Sequence, residues 1–540
     1  MTKTSETDPL CIDTLPVGPL GGLIGMTLCP GKRVASAFSG EWERDLAADF
    51  AGIAGWGADV IVSLMEPHEF ALLGVPQFAA RIPAGIAHLV LPIVDGGVPS
   101  GTWERAWAKE GPRLRERLAL GGRLLIHCRG GLGRTGIVAA RLLVEFGEDP
   151  AQAMRRVRSA RPDAIENRRQ EDYVRRQHPL PSPLPRPPVA VDPEKQARFR
   201  GCLLGGAVGD ALGAPVEFMD LPEIRARFGA AGIRDFVPYA GKTGAITDDT
   251  QMTLFTAEGL LRAANCGRMR GIGPDFIRVL GNAYRRWLHT QGEGGRRDPD
   301  LFSGWLIRNR DLHARRAPGI TCLGALGALG ADIRLADNDS KGCGGVMRAA
   351  PVGLFVAGWE GAGPDPARRA FDLACDFAAL THGHPAGQHP AGVLAVLVLR
   401  LVQGATLPAI DLAAALARRG GEPGDDLRRL GQGWVGEEAL AIALYCAQRA
   451  ATLEEGVALA VNLTGDSDST GAIAGNLLGA LHEVAAIPGR WLEPLELRGV
   501  IEEMADDLLS WPQWPVWDRL PDDPAERAAA AYWLDRYPGG

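Results

Sequence analysis

Lysine is scarce in this sequence: it occurs only at positions 3, 32, 109, 195, 242 and 341 of 540 residues, so basic charge is carried almost entirely by arginine. Net charge is −7 at pH 7 and no basic run exceeds a few residues, which argues against a nucleic-acid partner held by bulk electrostatics. The nine cysteines contain no CxxC pair, so neither a zinc ribbon nor a disulfide framework is indicated, and a reducing, cytoplasmic setting is expected. Long apolar runs are missing as well. The longest aliphatic stretch, 393–399, stops at Arg400, and residues 1–15 are polar and acidic, so neither a membrane span nor a membrane partner is expected.

Length, by contrast, exceeds that of one ordinary domain. A boundary is marked by Pro179, Pro181, Pro183, Pro185, Pro187 and Pro188, a run that cannot be helix or central strand and should form a stiff, extended spacer. The expected organisation is an N-terminal tail over 1–18, an α/β domain over 19–178, a Pro-rich linker over 179–193, and a helical domain over 194–540.

Two acidic loops in the second half stand out. Asn462-Leu463-Thr464-Gly465-Asp466-Ser467-Asp468-Ser469-Thr470-Gly471 crowds two carboxylates and three hydroxyls between glycines ahead of an apolar helix over 472–481. Upstream, Thr247-Asp248-Asp249-Thr250 leads into another apolar helix over 254–261. Facing each other, Thr247, Asp248, Asp249, Asp466, Asp468 and Ser469 would offer oxygens to a pair of hard cations, which selects magnesium, manganese or calcium over zinc. The same residue types also serve as helix caps, so each loop alone has two readings.

In the first half, apolar strands are expected at Gly22–Thr27, Val60–Ser63, Ala87–Val90 and 123–126, alternating with helices. The last strand runs into His127-Cys128-Arg129-Gly130-Gly131-Leu132-Gly133-Arg134-Thr135-Gly136 and then an apolar helix over 137–146. Glycines let the N–H groups of residues 129–133 converge on an anion, and the helix that follows aims its positive end at the same point. Those donors also stabilise a thiolate, making Cys128 a nucleophile, while Arg134 can grip two phosphoryl oxygens at once. Asp95 follows an apolar strand and precedes two glycines, which suits either an acid on a mobile loop or a turn aspartate.

This segment resembles the cysteine-dependent phosphatases, whose HCxxGxxRTG signature is matched at every fixed position. With Leu28-Cys29-Pro30-Gly31 and the stretch from His88 through Asp95 to Pro99, it looks like the kinase-associated branch of the dual-specificity phosphatases over about residues 20–178. The resemblance implies a phosphocysteine intermediate, with Asp95 as general acid and Thr135 assisting departure of the thiolate. Gln170 falls where that family often carries a polar residue near the attacking water. His127 is read as a structural hydrogen-bonder.

The second half opens on a glycine-rich helix over 199–218 that contains Gly205-Gly206-Ala207-Val208-Gly209-Asp210 and Glu217. Together with the two acidic loops in this order, it resembles the ADP-ribosylglycohydrolases over about residues 196–540. That family implies an all-α bundle around two magnesium or manganese ions, with the six loop residues above as ligands. It also implies Glu217 as an acidic residue that gates and positions substrate, with Asp210 as a structural support. Ser340, Gly342, Cys343, Gly344 and Gly345 correspond to the family's ribose- and diphosphate-binding loop, where Cys343 replaces a common Asn. His382 matches a loop bordering the substrate; a helix-end histidine with no ligand is the other reading.

The whole is therefore expected to be a bifunctional hydrolase. Its partners would be an ADP-ribosylated protein or ADP-ribose derivative and a phosphoprotein or small phosphomonoester. The rivals are a phosphatase whose helical domain only binds ADP-ribose, and a glycohydrolase with a noncatalytic phosphate-binding docking module.

Overall fold

A computed structural model describes residues 2–35, 40–293, 303–329, 333–407 and 426–539. The chain divides into two compact units, one built on residues 2–187, 303–308 and 519–538, the other on 188–293, 309–518 and residue 539, within the described stretches.

The first unit is organised by a five-stranded sheet in the order Asp13–Val17, Gly22–Thr27, Arg123–His127, Val60–Ser63, Ala87–Val90. The last four are mutually parallel, and Asp13–Val17 adds antiparallel to the edge. Strands buried on both faces need continuous apolar runs, which is why Leu124, Leu125 and Ile126 follow one another in the centre without alternation. The helix Gly133–Glu145 is buried along its whole length and receives the chain directly from the central strand. All four expected strands are present, the last one residue longer. The expected N-terminal tail is corrected in part: Leu15 and Val17 are buried, and residues 13–17 belong to the sheet.

The Pro-rich stretch has no helix or strand, as expected, but it is laced to the first unit rather than free. The Leu180 N–H donates to the Glu145 carbonyl (3.1 Å), Arg115 donates to the Pro181 carbonyl (2.9 Å), and Leu184 is buried. The final helix, Pro524–Arg536, is capped by Asp523 as expected, yet groups with the first unit rather than with the helical domain assigned to 194–540.

The second unit is helical, with one two-residue hairpin, Pro238–Tyr239 against Lys242–Thr243. At its centre the helices Pro193–Gly213 and Ser467–His482 touch backbone to backbone. Gly201, Gly205 and Gly209 meet Gly479, Gly475 and Gly471 in turn, and a Cβ on Gly475 would lie 2.0 Å from the Gly205 carbonyl oxygen. Spacing of four places these glycines on one face of each helix. Among the described residues, Pro385–Val402 is long and apolar enough to cross a membrane by length and composition, but 61% of it is buried inside the protein.

Because the glycine contact cannot open without separating two buried helices, Gly475→Ala is expected to cost about 1–3 kcal/mol of unfolding free energy. Gly499→Ala, on an exposed helix face with nothing within 4 Å, is expected to be neutral or mildly stabilising. Denaturant titration of the two variants checks the contrast; equal stabilities would contradict the packing.

Candidate functional sites

In the first unit the turn after Arg123–His127 wraps around Cys128, which is buried. The Gly131 N–H points at the Cys128 Sγ from 3.2 Å. Its carbonyl, with that of Gly130, is drawn away by Arg161 (2.6 and 3.1 Å), which orients the Gly131 N–H toward the sulfur. Gly131 has φ +72°, and a Cβ there would sit 2.3 Å from the Thr27 carbonyl oxygen, so glycine is required. Gly133 starts the buried helix, where a Cβ would lie 2.0 Å from the Glu166 carboxylate.

Arg134 is buried and held as a fork by Glu69 (2.6 and 2.9 Å) and by the carbonyls of Ile93 and Leu64 (3.1 and 3.4 Å). Burial pushes the Glu69 carboxyl up, but the Arg134 hydrogen bonds outweigh that and leave it below the usual range. Asp95, 59% exposed, reaches the same guanidinium at 2.8 Å and Arg129 at 4.0 Å. The structure thus brings the expected fork and acid into contact, with the expected nucleophile near enough to act electrostatically on Arg134.

The Asp95 loop is tied from behind, where Asn167 donates to the Gly96 carbonyl (3.1 Å) and Gln170 to that of Gly97 (3.3 Å). Thr135 is fully buried with its hydroxyl unpartnered, so it has a free donor where the helix leaves the loop. His127 bonds Ser63 (2.6 Å), and burial lowers its pKa to about 3, so it stays neutral, in keeping with a structural role. Glu69, Arg161 and Asn167 were missed in the sequence; nothing in local spacing links them to Cys128.

In the second unit the glycine contact sets the ends of two helices side by side. Glu217, Asp466 and Asp468 come together with carboxylate oxygens within 4.8 Å of one another, all buried. Asp210, beneath them, accepts from the N–H groups of Thr247 (3.0 and 3.1 Å) and Thr250 (3.1 Å) and from the Thr250 hydroxyl, which caps the helix Asp248–Arg270. That is the structural support expected of it. Thr247 Oγ1 accepts from the Asp249 N–H (3.3 Å), and Asp248 accepts from the Gly319 N–H (3.2 Å). Ser469 donates its N–H to Asp466 and Asp468 (3.3 and 3.0 Å).

Burial raises every carboxyl in this group, and repulsion between neighbours adds to it at Glu217, Asp248, Asp249 and Asp468. Glu217 is pushed to about 8 by burial, then by Asp466, Asp248 and Asp210. Asp248 is likewise pushed to about 8 by burial, with Asp210 and Asp466 adding to it. Asp249 and Asp468 lie well above the usual range for the same reasons. Glu217 Oε2 and Asp249 Oδ2 are buried without a hydrogen-bond partner. Oxygen donors of this density, with two orphaned oxygens, fit a hard divalent cation.

The glycine loop borders this centre. Cys343 Sγ lies 2.7 Å from Asp466 Oδ2, and the Cys343 N–H donates to the Trp434 carbonyl (3.1 Å). Ser340 Oγ accepts from the Gly342 N–H (3.4 Å), while a Cβ on Gly345 would meet the Gly387 carbonyl at 2.5 Å. His382 is buried behind the loop, with its ring within 3.0 Å of where a Gly344 Cβ would be, and burial lowers its pKa to about 3. It backs the loop as a neutral side chain. Phe218 and Trp434, both exposed, stack at 5.7 Å and 18° beside Glu217 and Cys343, an aromatic pair that sequence reading passed over.

A wrapped cysteine loop on a parallel sheet and a buried acidic centre in a helical bundle define two enzyme domains of the hydrolase kind. A family model described as ADP-ribosylglycohydrolase matches residues 192–515, and the chain belongs to that family. A second model, described as Swiss Army Knife protein, DSP-PTPase phosphatase domain, matches residues 54–174. The chain is similar to the ADP-ribosylarginine hydrolase Tri1 of Pseudomonas putida, 28% identical over 58% of this chain and 77% of that protein. It is also similar to the ADP-ribosyl-[dinitrogen reductase] glycohydrolase of Rhodospirillum rubrum, 27% identical over 57% and 92%. Among solved structures, an ADP-ribosylglycohydrolase-related protein complex is 31% identical over 59% of this chain and 100% of that one, with TM-score 0.41. Kinase associated phosphatase is 26% identical over 31% and 92%, with TM-score 0.27.

The raised carboxyls give a signed expectation. Glu217 and Asp248 bind a proton more tightly folded (about 8) than at their ordinary values of 4.5 and 3.8. The stability this contributes is full below the ordinary values and lost as pH rises through about 8. In EDTA, melting temperature should therefore fall from pH 5 to pH 8 more steeply than in Glu217→Gln/Asp248→Asn. Added Mn2+ at a hundredfold over its Kd should restore about 2.7 kcal/mol. A flat profile in EDTA would contradict the electrostatics.

Proposed function

We propose that the chain is a bifunctional hydrolase. One unit would cleave phosphomonoesters through a phosphocysteine, and the other would hydrolyse an ADP-ribosyl glycosidic bond with divalent cations. For the first, the observation that carries the reading is the contact of Arg134 with Asp95, with Cys128 near enough to act electrostatically on Arg134. The loop N–H groups and the Arg134 fork would hold the phosphoryl oxygens while the Cys128 thiolate attacks phosphorus. Asp95, on its tethered loop, would protonate the departing oxygen, and water would then release phosphate from the sulfur, with the Thr135 hydroxyl receiving charge on the leaving thiolate.

For the second unit, the carrying observation is the cluster of Glu217, Asp466 and Asp468 with unpaired buried oxygens. Asp248, Asp249, Asp466, Asp468 and Ser469 would hold two Mg2+ or Mn2+ ions, with Thr247 at their edge. Bound cations would orient the ribose hydroxyls and stabilise negative charge. The N–H groups of Gly344 and Gly345 would approach the diphosphate, and Glu217, whose Oε2 has no hydrogen-bond partner, would exchange a proton with the attacking water. Relatives named for ADP-ribosylarginine and for dinitrogen reductase make a protein-linked ADP-ribose the first substrate to try. Nine cysteines with no disulfide among them suit a reducing compartment, which we take to be the cytoplasm.

Release of free ADP-ribose from arginine- and serine-linked proteins tests the second activity. It should require Mg2+ or Mn2+ and fall at least about a hundredfold in Asp466→Ala/Asp468→Ala. Binding without release would favour a reader domain. Hydrolysis of para-nitrophenyl phosphate should be lost in Cys128→Ser; its absence in the wild type would leave the first unit a phosphate-docking module.

A further inference from the structure

The loop after Gly22–Thr27 carries a cation that the phosphate chemistry above does not use. Lys32 is 6% exposed, and its ammonium lies 5.0 Å from the centre of the Trp42 ring, with no hydrogen bond or ion pair to any described residue. Two other cations border that ring. Arg44, at 6.0 Å, is neutralised by a buried pair of bonds to Asp49 (2.8 and 2.9 Å), and Lys3, at 4.7 Å, faces Asp8 at 3.8 Å. Among the described residues Lys32 alone of the three lacks a carboxylate.

Its place is fixed by backbone bonds. The Lys32 N–H donates to the Cys29 carbonyl (3.3 Å), the Lys32 carbonyl accepts from Arg44 (3.1 Å), and the Cys29 N–H donates to the Arg129 carbonyl (3.5 Å). The segment is thereby stitched to the loop around Cys128. Burial and Arg129 lower the ammonium's pKa while Cys29 and Cys128 raise it, so these groups share one field. Arg129, at the other side, is half exposed and bound only loosely by Asp95 at 4.0 Å.

Most of the Lys32 side chain is buried against Trp42, and its ammonium, with no carboxylate beside it, is left to meet an anion. The scissile phosphoryl group is already matched by the loop N–H groups and Arg134. We propose that Lys32 and Arg129 form a second anion subsite beside the Cys128 loop, so that the pocket selects phosphomonoesters carrying a second phosphoryl group close to the scissile one. This rests on the phosphatase reading of the first unit.

The test compares inorganic diphosphate with inorganic phosphate on the full chain. Two readouts are taken: inhibition of para-nitrophenyl phosphate hydrolysis, and protection of Cys128 from iodoacetamide followed by mass spectrometry. A single additional charge-assisted hydrogen bond to the second phosphoryl group predicts that diphosphate acts at about tenfold lower concentration than phosphate in the wild type. Lys32→Met should erase most of that ratio and Lys32→Arg should keep it. Equal potency of the two anions in the wild type would overturn the subsite, whether or not the variant folds. So would a Lys32→Met effect that weakens both anions alike, which would make Lys32 the counter-ion of the thiolate. Diphosphate-selective protection without turnover would sink the phosphatase reading and leave the subsite standing.

Discussion

Backbone contact between two glycine-lined helices is the constraint on which the second unit depends. Gly201, Gly205 and Gly209 admit the facing helix so closely that the carbonyl of one glycine fills the space where another's side chain would be. This closeness serves the site as well as the core. Gly213, the last residue of the first helix, lies against Ser467 and Asp468 at the start of the second, where its Cβ would be 2.4 Å from the Ser467 carbonyl oxygen. Asp210 and Glu217 on one chain segment and Asp466 and Asp468 on the other are held together by atoms that cannot move apart separately.

What the contact assembles is electrostatically unfavourable by itself. Asp210, Glu217, Asp248, Asp249, Asp466 and Asp468 are all raised above their ordinary range, with burial the first cause in each case. Asp210 is well supplied with donors, bonded to the helix start it supports. The first unit solves a related problem with the opposite sign. Its thiol accepts from the Gly131 N–H and its buried arginine is balanced by Glu69.

Much of this was legible in the sequence because the chemistry is local. The strands Gly22–Thr27, Val60–Ser63 and Ala87–Val90 and the loop around Cys128 were placed correctly from apolar runs and motif spacing, whereas the helices expected over 254–261 and 472–481 begin at Asp248 and Ser467, so Asp248, Asp249 and Asp468 lie in their first turns. What escaped notice was contributed at a distance. Glu69 meets Arg134 across 65 residues, and Arg161 turns the carbonyls of Gly130 and Gly131 from a segment with no motif of its own. Polar, acidic composition near the N-terminus hid an edge strand over Asp13–Val17, because an edge strand needs only one buried face. The final helix was recognised by its cap, but caps carry no information about which unit a helix packs on.

The central claim is that the glycine contact builds a cation centre from the two acidic loops. Counting Mn2+ bound per chain by electron paramagnetic resonance tests it most directly. The account predicts two ions bound by the wild type and loss of both when Asp466 and Asp468 are replaced by Asn. No bound Mn2+, or binding indifferent to those two substitutions, would contradict it.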